Sequence, residues 1–186
     1  MKSLFPSIAV VGLMSLASVA AHASDGTITI TGTVSDSTCS INGIASGDHS
    51  DKTVVLPTVT AGSLASAGAV AGKSGPSDIV FSLSGCTGSA TKAVARFENG
   101  PTVDQGSGYL NNQAETGGAK NVQVSLLNAS MRPINIATGE NNDLASNGAT
   151  ITGGAAEVKY FAQYYATGKA EAGAVETWAQ YSMQYQ

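Results

Sequence analysis

Apolar and polar positions alternate in short runs along most of the chain, the two-residue period of a strand with one buried face. The pattern predicts extended segments at 27–34, 39–44, 53–59, 78–86, 93–98, 122–127, 133–136, 157–167 and 177–185. Turn-forming clusters separate them, among them Asn99-Gly100-Pro101, Gly117-Gly118 and Ser146-Asn147-Gly148. Residues 61–72 alone carry a pattern a helix could use, and their glycines weaken it. Short strands without alternating helices predict an all-β sandwich or barrel.

The clearest alternations stand at the two ends. In Thr27-Ile28-Thr29-Ile30-Thr31-Gly32-Thr33-Val34, one face takes Ile28, Ile30, Gly32 and Val34 and the threonines take the other. Tyr181-Ser182-Met183-Gln184-Tyr185-Gln186 alternates in the same way. Most aromatics beyond residue 24 fall late in the chain (Tyr160, Phe161, Tyr164, Tyr165, Trp178, Tyr181 and Tyr185), so the last two strands are expected to carry much of the core. With no internal repeat and no long linker, one domain is expected.

Residues 1–23 read as a signal peptide: Lys2 supplies the positive start, an apolar run without acids follows, and Ala21-His22-Ala23 is a small-x-small cleavage site. Pro6 and that cleavage site argue against a transmembrane anchor. Export leads to an oxidising compartment, where the two cysteines, Cys39 and Cys86, read most simply as one disulfide. A redox or metal-binding pair would favour a C-x-x-C spacing that is absent.

Composition narrows the function. Apolar residues are 42 % of the chain and charged residues 12 %, which fits neither a disordered polyelectrolyte nor a membrane bundle. A net charge of −4 has the wrong sign for a phosphate backbone, so no nucleic-acid partner is expected. His49, between Asp48 and Asp51 in a polar loop, is the one histidine beyond the leader; it reads as solvated, and multi-histidine metal sites are excluded. No G-x-S-x-G elbow occurs, and a serine triad would have to recruit His49. Ala67-Gly68-Ala69-Val70-Ala71-Gly72-Lys73-Ser74 is similar to a phosphate loop, but it follows no strand and opens no helix, so it is expected to be a flexible loop. Asn128-Ala129-Ser130 matches the short glycosylation sequon. No catalytic residue, metal or cofactor is expected.

Several segments together resemble the major subunits of chaperone–usher, type 1-like fimbriae. They are the threonine-rich stretch from Asp25-Gly26-Thr27 to Val34 leading to Cys39, then Ser82-Leu83-Ser84-Gly85-Cys86, Asn121-Val122-Gln123-Val124, Tyr164-Tyr165-Ala166-Thr167-Gly168, Gly173 and the penultimate Tyr185. The resemblance covers the chain beyond the leader. It implies an incomplete immunoglobulin-like sandwich lacking its last strand, with residues 24–36 as a donor-strand extension and 37–186 as the pilin domain.

What the resemblance implies for function is donor-strand complementation, a form of β-strand addition. A periplasmic chaperone lends a strand first, and the extension of the next copy then replaces it; neighbouring copies, the chaperone and an outer-membrane usher are the partners the resemblance implies. Ile28, Ile30 and Val34 match the family's pocket-filling donors and Gly32 its glycine. Gly173, Tyr181, Met183 and Tyr185 match the groove and the chaperone-binding last strand. Cys39 and Cys86 match the bridge fixing the first two strands. Met183, where a β-branched residue is common, and Ser125, inside an apolar strand motif, depart from the pattern. The expected product is an exported, non-enzymatic subunit of an adhesive surface fimbria. The alternatives are a minor adaptor, or a secreted sandwich that binds carbohydrate or host protein through its loops.

Overall fold

The structure is a computed structural model that describes residues 28, 29, 31, 36 and 38–186. The chain divides between Thr33 and Val34, and the second unit, Val34–Gln186, holds every described strand. These are β1 (Ser40–Ile41), β2 (Val70–Ala71), β3 (Ile79–Ser84), β4 (Lys92–Phe97), β5 (Leu110–Asn111), β6 (Lys120–Leu127), β7 (Ala149–Thr150), β8 (Ala156–Glu171) and β9 (Tyr181–Tyr185); one helical turn, α1 (Leu144–Asn147), precedes β7.

The strands form two antiparallel sheets. The larger runs β1-β3-β8-β6-β5, with β2 also on β8; the smaller runs β7-β4-β9. Strand β8 organises the larger sheet because its 16 residues are rich in aromatics: Val158, Tyr160, Ala162 and Ala166 are buried at even spacing, and Phe161 is buried between them. One of its edges takes β3 and β2 in turn, and the other takes β6. The sheets meet through small residues on β4, where Ala93 and Ala95 are fully buried and let Phe97 place its ring edge-on to Tyr160 at 4.9 Å.

Tyr160 also closes one edge of the small sheet. Its hydroxyl accepts from the Ala95 amide at 3.0 Å and lies 3.1 Å from both the Ala95 carbonyl and Asn142 Oδ1, while Asn142 Nδ2 donates to the same carbonyl at 2.9 Å. Side chains thus replace a strand where β7 has ended. Burial pushes the Tyr160 phenol far above its ordinary pKa.

Several expected segments come out differently. The 39–44 strand shrinks to β1 because Asn42 and Gly43 both take positive φ, at 53° and 80°, and turn the chain so that Ile41 and Ile44 exchange backbone hydrogen bonds. Residues 133–136 form isolated bridges instead of a strand, with Ile134 bonding to Leu126 and Ile136 to Gly108. The possible helix at 61–72 is one 3-10 turn, Ala61–Leu64, followed by β2. The phosphate-loop lookalike is therefore partly strand and lies along β8: the Ser74 amide donates to the Ala162 carbonyl, and Ser74 Oγ accepts from the Ala162 amide. Asn128 is buried, and its Nδ2, the atom a glycan would need, donates to Asn141 O and Asn147 Oδ1 at 2.9 Å. Ser125 is buried within β6 with no hydrogen-bond partner for its hydroxyl among the described residues, a local cost where an apolar residue would pack.

Candidate functional site

The last strand is the unusual one. Strand β9 pairs with β4 from Tyr181 opposite Phe97 to Tyr185 opposite Ala93, and among the described residues no strand pairs with its other edge. Its core-facing side chains, Tyr181, Met183 and Tyr185, pack against the core cluster yet are only partly buried. The matching positions of β3, Ile79, Phe81 and Leu83, are buried to 7 % exposure or less. Apolar side chains that face a core and are still wet mark a layer without its cover.

A second uncovered wall comes after β1. Residues 53–59 alternate as expected of a strand, but they pair with none among the described residues. Val54 and Leu56 are partly buried against the same core cluster as β9, while Val55 is 83 % exposed. Two contacts pin the flanks. The Tyr181 hydroxyl donates to Ser50 O at 2.6 Å with its ring 4.5 Å from Phe81, and Tyr185 packs against the core cluster that contains Cys39, with burial raising its pKa and the nearby Cys39 backbone offsetting part of the rise. The arrangement offers an apolar floor beside an edge that no strand pairs with among the described residues, the combination that accepts an added strand.

Near the start of the segment leading to β9 lies a cavity of about 470 Å³ lined by Val59, Leu64, Val122, Tyr164, Gly173 and Val175 among others. The family resemblance groups Gly173 with the last strand; it sits instead in the link between β8 and β9. There a Cβ would come within 2.4 Å of the Ala119 amide nitrogen and 2.5 Å of the Gly117 carbonyl oxygen, so close backbone approach requires glycine.

Cys39 and Cys86 form a disulfide that ties the residue before β1 to the turn after β3. Those strands are paired neighbours in the sheet, although β2 intervenes in sequence. Among the donor positions, Ile28 is described and is exposed, whereas Ile30, Gly32 and Val34 lie outside the described residues. His49 is exposed in its loop. No motif in the sequence marks Val54 and Leu56 as part of the groove, although their alternation is visible there.

The chain matches the family described as Fimbrial protein over residues 28–186. It is 40 % identical over 176 residues to the major fimbrial subunit SMF-1 of Stenotrophomonas maltophilia (strain K279a), covering 93 % of this chain and 99 % of that protein. It is also 40 % identical over 187 residues to the F17 fimbrial protein of Escherichia coli, covering 95 % and 97 %. In fold it is similar to a subunit of a chaperone–usher pilus (TM-score 0.57, 22 % identity, 88 % of this chain and 96 % of that one) and to the P pilus rod subunit PapA (TM-score 0.53, 19 % identity, 80 % and 99 %). An immunoglobulin-like all-β sandwich with an uncovered last strand and a family match across that whole sandwich have one reading: the chain belongs to the fimbrial protein family, as a structural pilin subunit of surface fimbriae.

Proposed function

We propose that copies of this chain polymerise by donor-strand exchange, residues 28–34 of one copy lying antiparallel to β9 of the next, and that the protein is the main shaft subunit. The observation carrying this reading is the partly buried, core-facing row Tyr181, Met183 and Tyr185 on a strand whose outer edge is unpaired among the described residues. Ile28, Ile30 and Val34 supply three aliphatic side chains at the matching two-residue period, each worth about 1.5 to 3 kcal/mol on burial. Gly32 fits where floor and strand come too close for a side chain. A periplasmic chaperone is the partner that keeps such a groove covered until exchange, and an outer-membrane usher is the further partner in assembly. The naming of SMF-1 as a major subunit supports the shaft role.

Exchange between copies follows from where the domain begins. The backbone of Cys39 lies close enough to Tyr185, at the far end of β9, to act on its phenol. A donor lying in its own groove in the antiparallel sense would end at the Tyr181 end and would have to reverse and run back beside it. The five chain steps from Val34 to Cys39 reach only about 17 Å when extended. Handing the strand to a neighbour removes the reversal. Donor and acceptor are different surfaces, so the contact repeats head to tail without closing.

An SDS gel of shed fibres, with and without boiling in acid, tests the reading. A ladder of multimers is expected until the subunits themselves unfold; dissociation to monomer in cold SDS would contradict it.

A further inference from the structure

We propose that the exposed Trp178 and the carboxylates beside it form a second contact surface, the seat on which the disulfide-bearing end of the next copy docks. The inference rests on donor-strand exchange and adds to it a contact between folded bodies.

The geometry begins with the ends of β9. At its start, the Glu98 amide donates to Gln180 O, Thr102 Oγ1 donates to Trp178 O at 2.7 Å, and the indole lies beside Gly100. At its finish, the Thr91 and Lys92 amides bond to Gln186 O and the Tyr185 hydroxyl meets Cys39. Trp178 and the disulfide therefore mark opposite ends of the domain. A donor antiparallel to β9 brings the neighbour's Val34 to the Tyr181 end. The neighbour's Cys39 comes within about 17 Å of chain after it, and Trp178 lies three residues before Tyr181, about 10 Å along an extended backbone. The tether thus confines the neighbour's disulfide end to the vicinity of Trp178.

The two surfaces suit each other chemically. Trp178 is 48 % exposed, and it shares a cleft of about 400 Å³ with Gln113, Glu115 and Glu176. Asn112 fixes the walls: its Nδ2 donates to Ala119 O and Ala174 O, and its Oδ1 accepts from the Glu176 and Ala114 amides. The opposite end presents Thr38, Thr87, Gly88 and Ser89, all exposed, small and uncharged. Hydrogen bonds hold Thr38 and Thr87 together there: the Thr87 amide donates to Thr38 O at 2.9 Å, their hydroxyls meet at 3.0 Å, and Thr87 Oγ1 lies 3.5 Å from Thr38 O. A flat glycine and hydroxyl face can lie against an indole, and hydroxyls can donate to the two carboxylates.

Trp178 is the chain's one tryptophan, so its fluorescence reads this contact without any substitution. Fibres are compared with the full chain held monomeric by excess peptide of residues 25–36, and the same fibres are run in cold SDS. The expected result is a blue shift and loss of acrylamide quenching in the fibre. A fibre that gives the cold-SDS ladder with Trp178 still quenched as in the monomer overturns this inference alone; a fibre that gives no ladder overturns strand exchange and this inference with it. The occupant is identified with Glu176→Cys and Thr87→Cys in one chain. Oxidation is expected to link adjacent copies, and a shielded Trp178 without that link would mean that another surface covers it, which overturns the proposal.

Discussion

A chain lacking residues 25–34 is expected to form no polymer at all, and its remaining domain is expected to take up a peptide of the deleted sequence. The domain keeps both sheets and the core between them, because none of those strands draws on residues before Ser40. Under the proposed exchange, what it can no longer supply is the strand that covers Tyr181, Met183 and Tyr185 of a neighbouring copy, residues only partly buried on a strand paired with β4 alone among the described strands. Cold SDS should show monomer only, and the added peptide should raise the unfolding temperature and protect β9 amides from exchange. A deleted chain that still polymerises would place the joint elsewhere, and a loop-based binding protein would keep its ligand after the same deletion.

Removing the disulfide should have the second largest effect. The bridge closes a sequence separation of 47, for which the chain-entropy relation gives about 4 kcal/mol. Domains commonly hold only about 5 to 15 kcal/mol in total. A sandwich with one uncovered layer has little to spare, and Cys39 belongs to the core cluster against which Tyr185 packs. Cys39→Ser with Cys86→Ser, unfolded in urea as its peptide complex, is expected to lose stability on that scale and to accumulate poorly when exported. A loss below about 1 kcal/mol, the scale of a single hydrogen bond, would show that the sheet pairing of β1 with β3 holds this corner unaided.

Much of the fold is legible in the alternation of side chains, and the departures have physical causes. The segments at 78–86, 93–98, 122–127 and 157–167 alternate and form β3, β4, β6 and β8, with ends shifted by a few residues. Strand β8 extends to Glu171 because β6 continues alongside it to Lys120, a tertiary pairing that no local pattern announces. Residues 53–59 have a strand's alternation without a partner, and an unpaired strand looks like any other in sequence. The Asn42-Gly43 turn that shortens β1 is written in its dipeptide, the favoured pair for two consecutive positive φ values. Strand β2 is hidden because Val70 and Ala71 sit in a run of small residues with no apolar period of their own. Gly173 stands out in the family pattern, but its reason is visible only where the backbone at 117–119 presses against it.

The most direct measurement is a structure of the assembled fibre at a resolution that traces the backbone beside β9. Residues 28–34 of a neighbouring copy are expected there, antiparallel to Tyr181–Tyr185, with Ile28, Ile30 and Val34 pointing into the floor. A groove filled by the same copy's own residues, or left open while subunits meet through other surfaces, would contradict strand exchange.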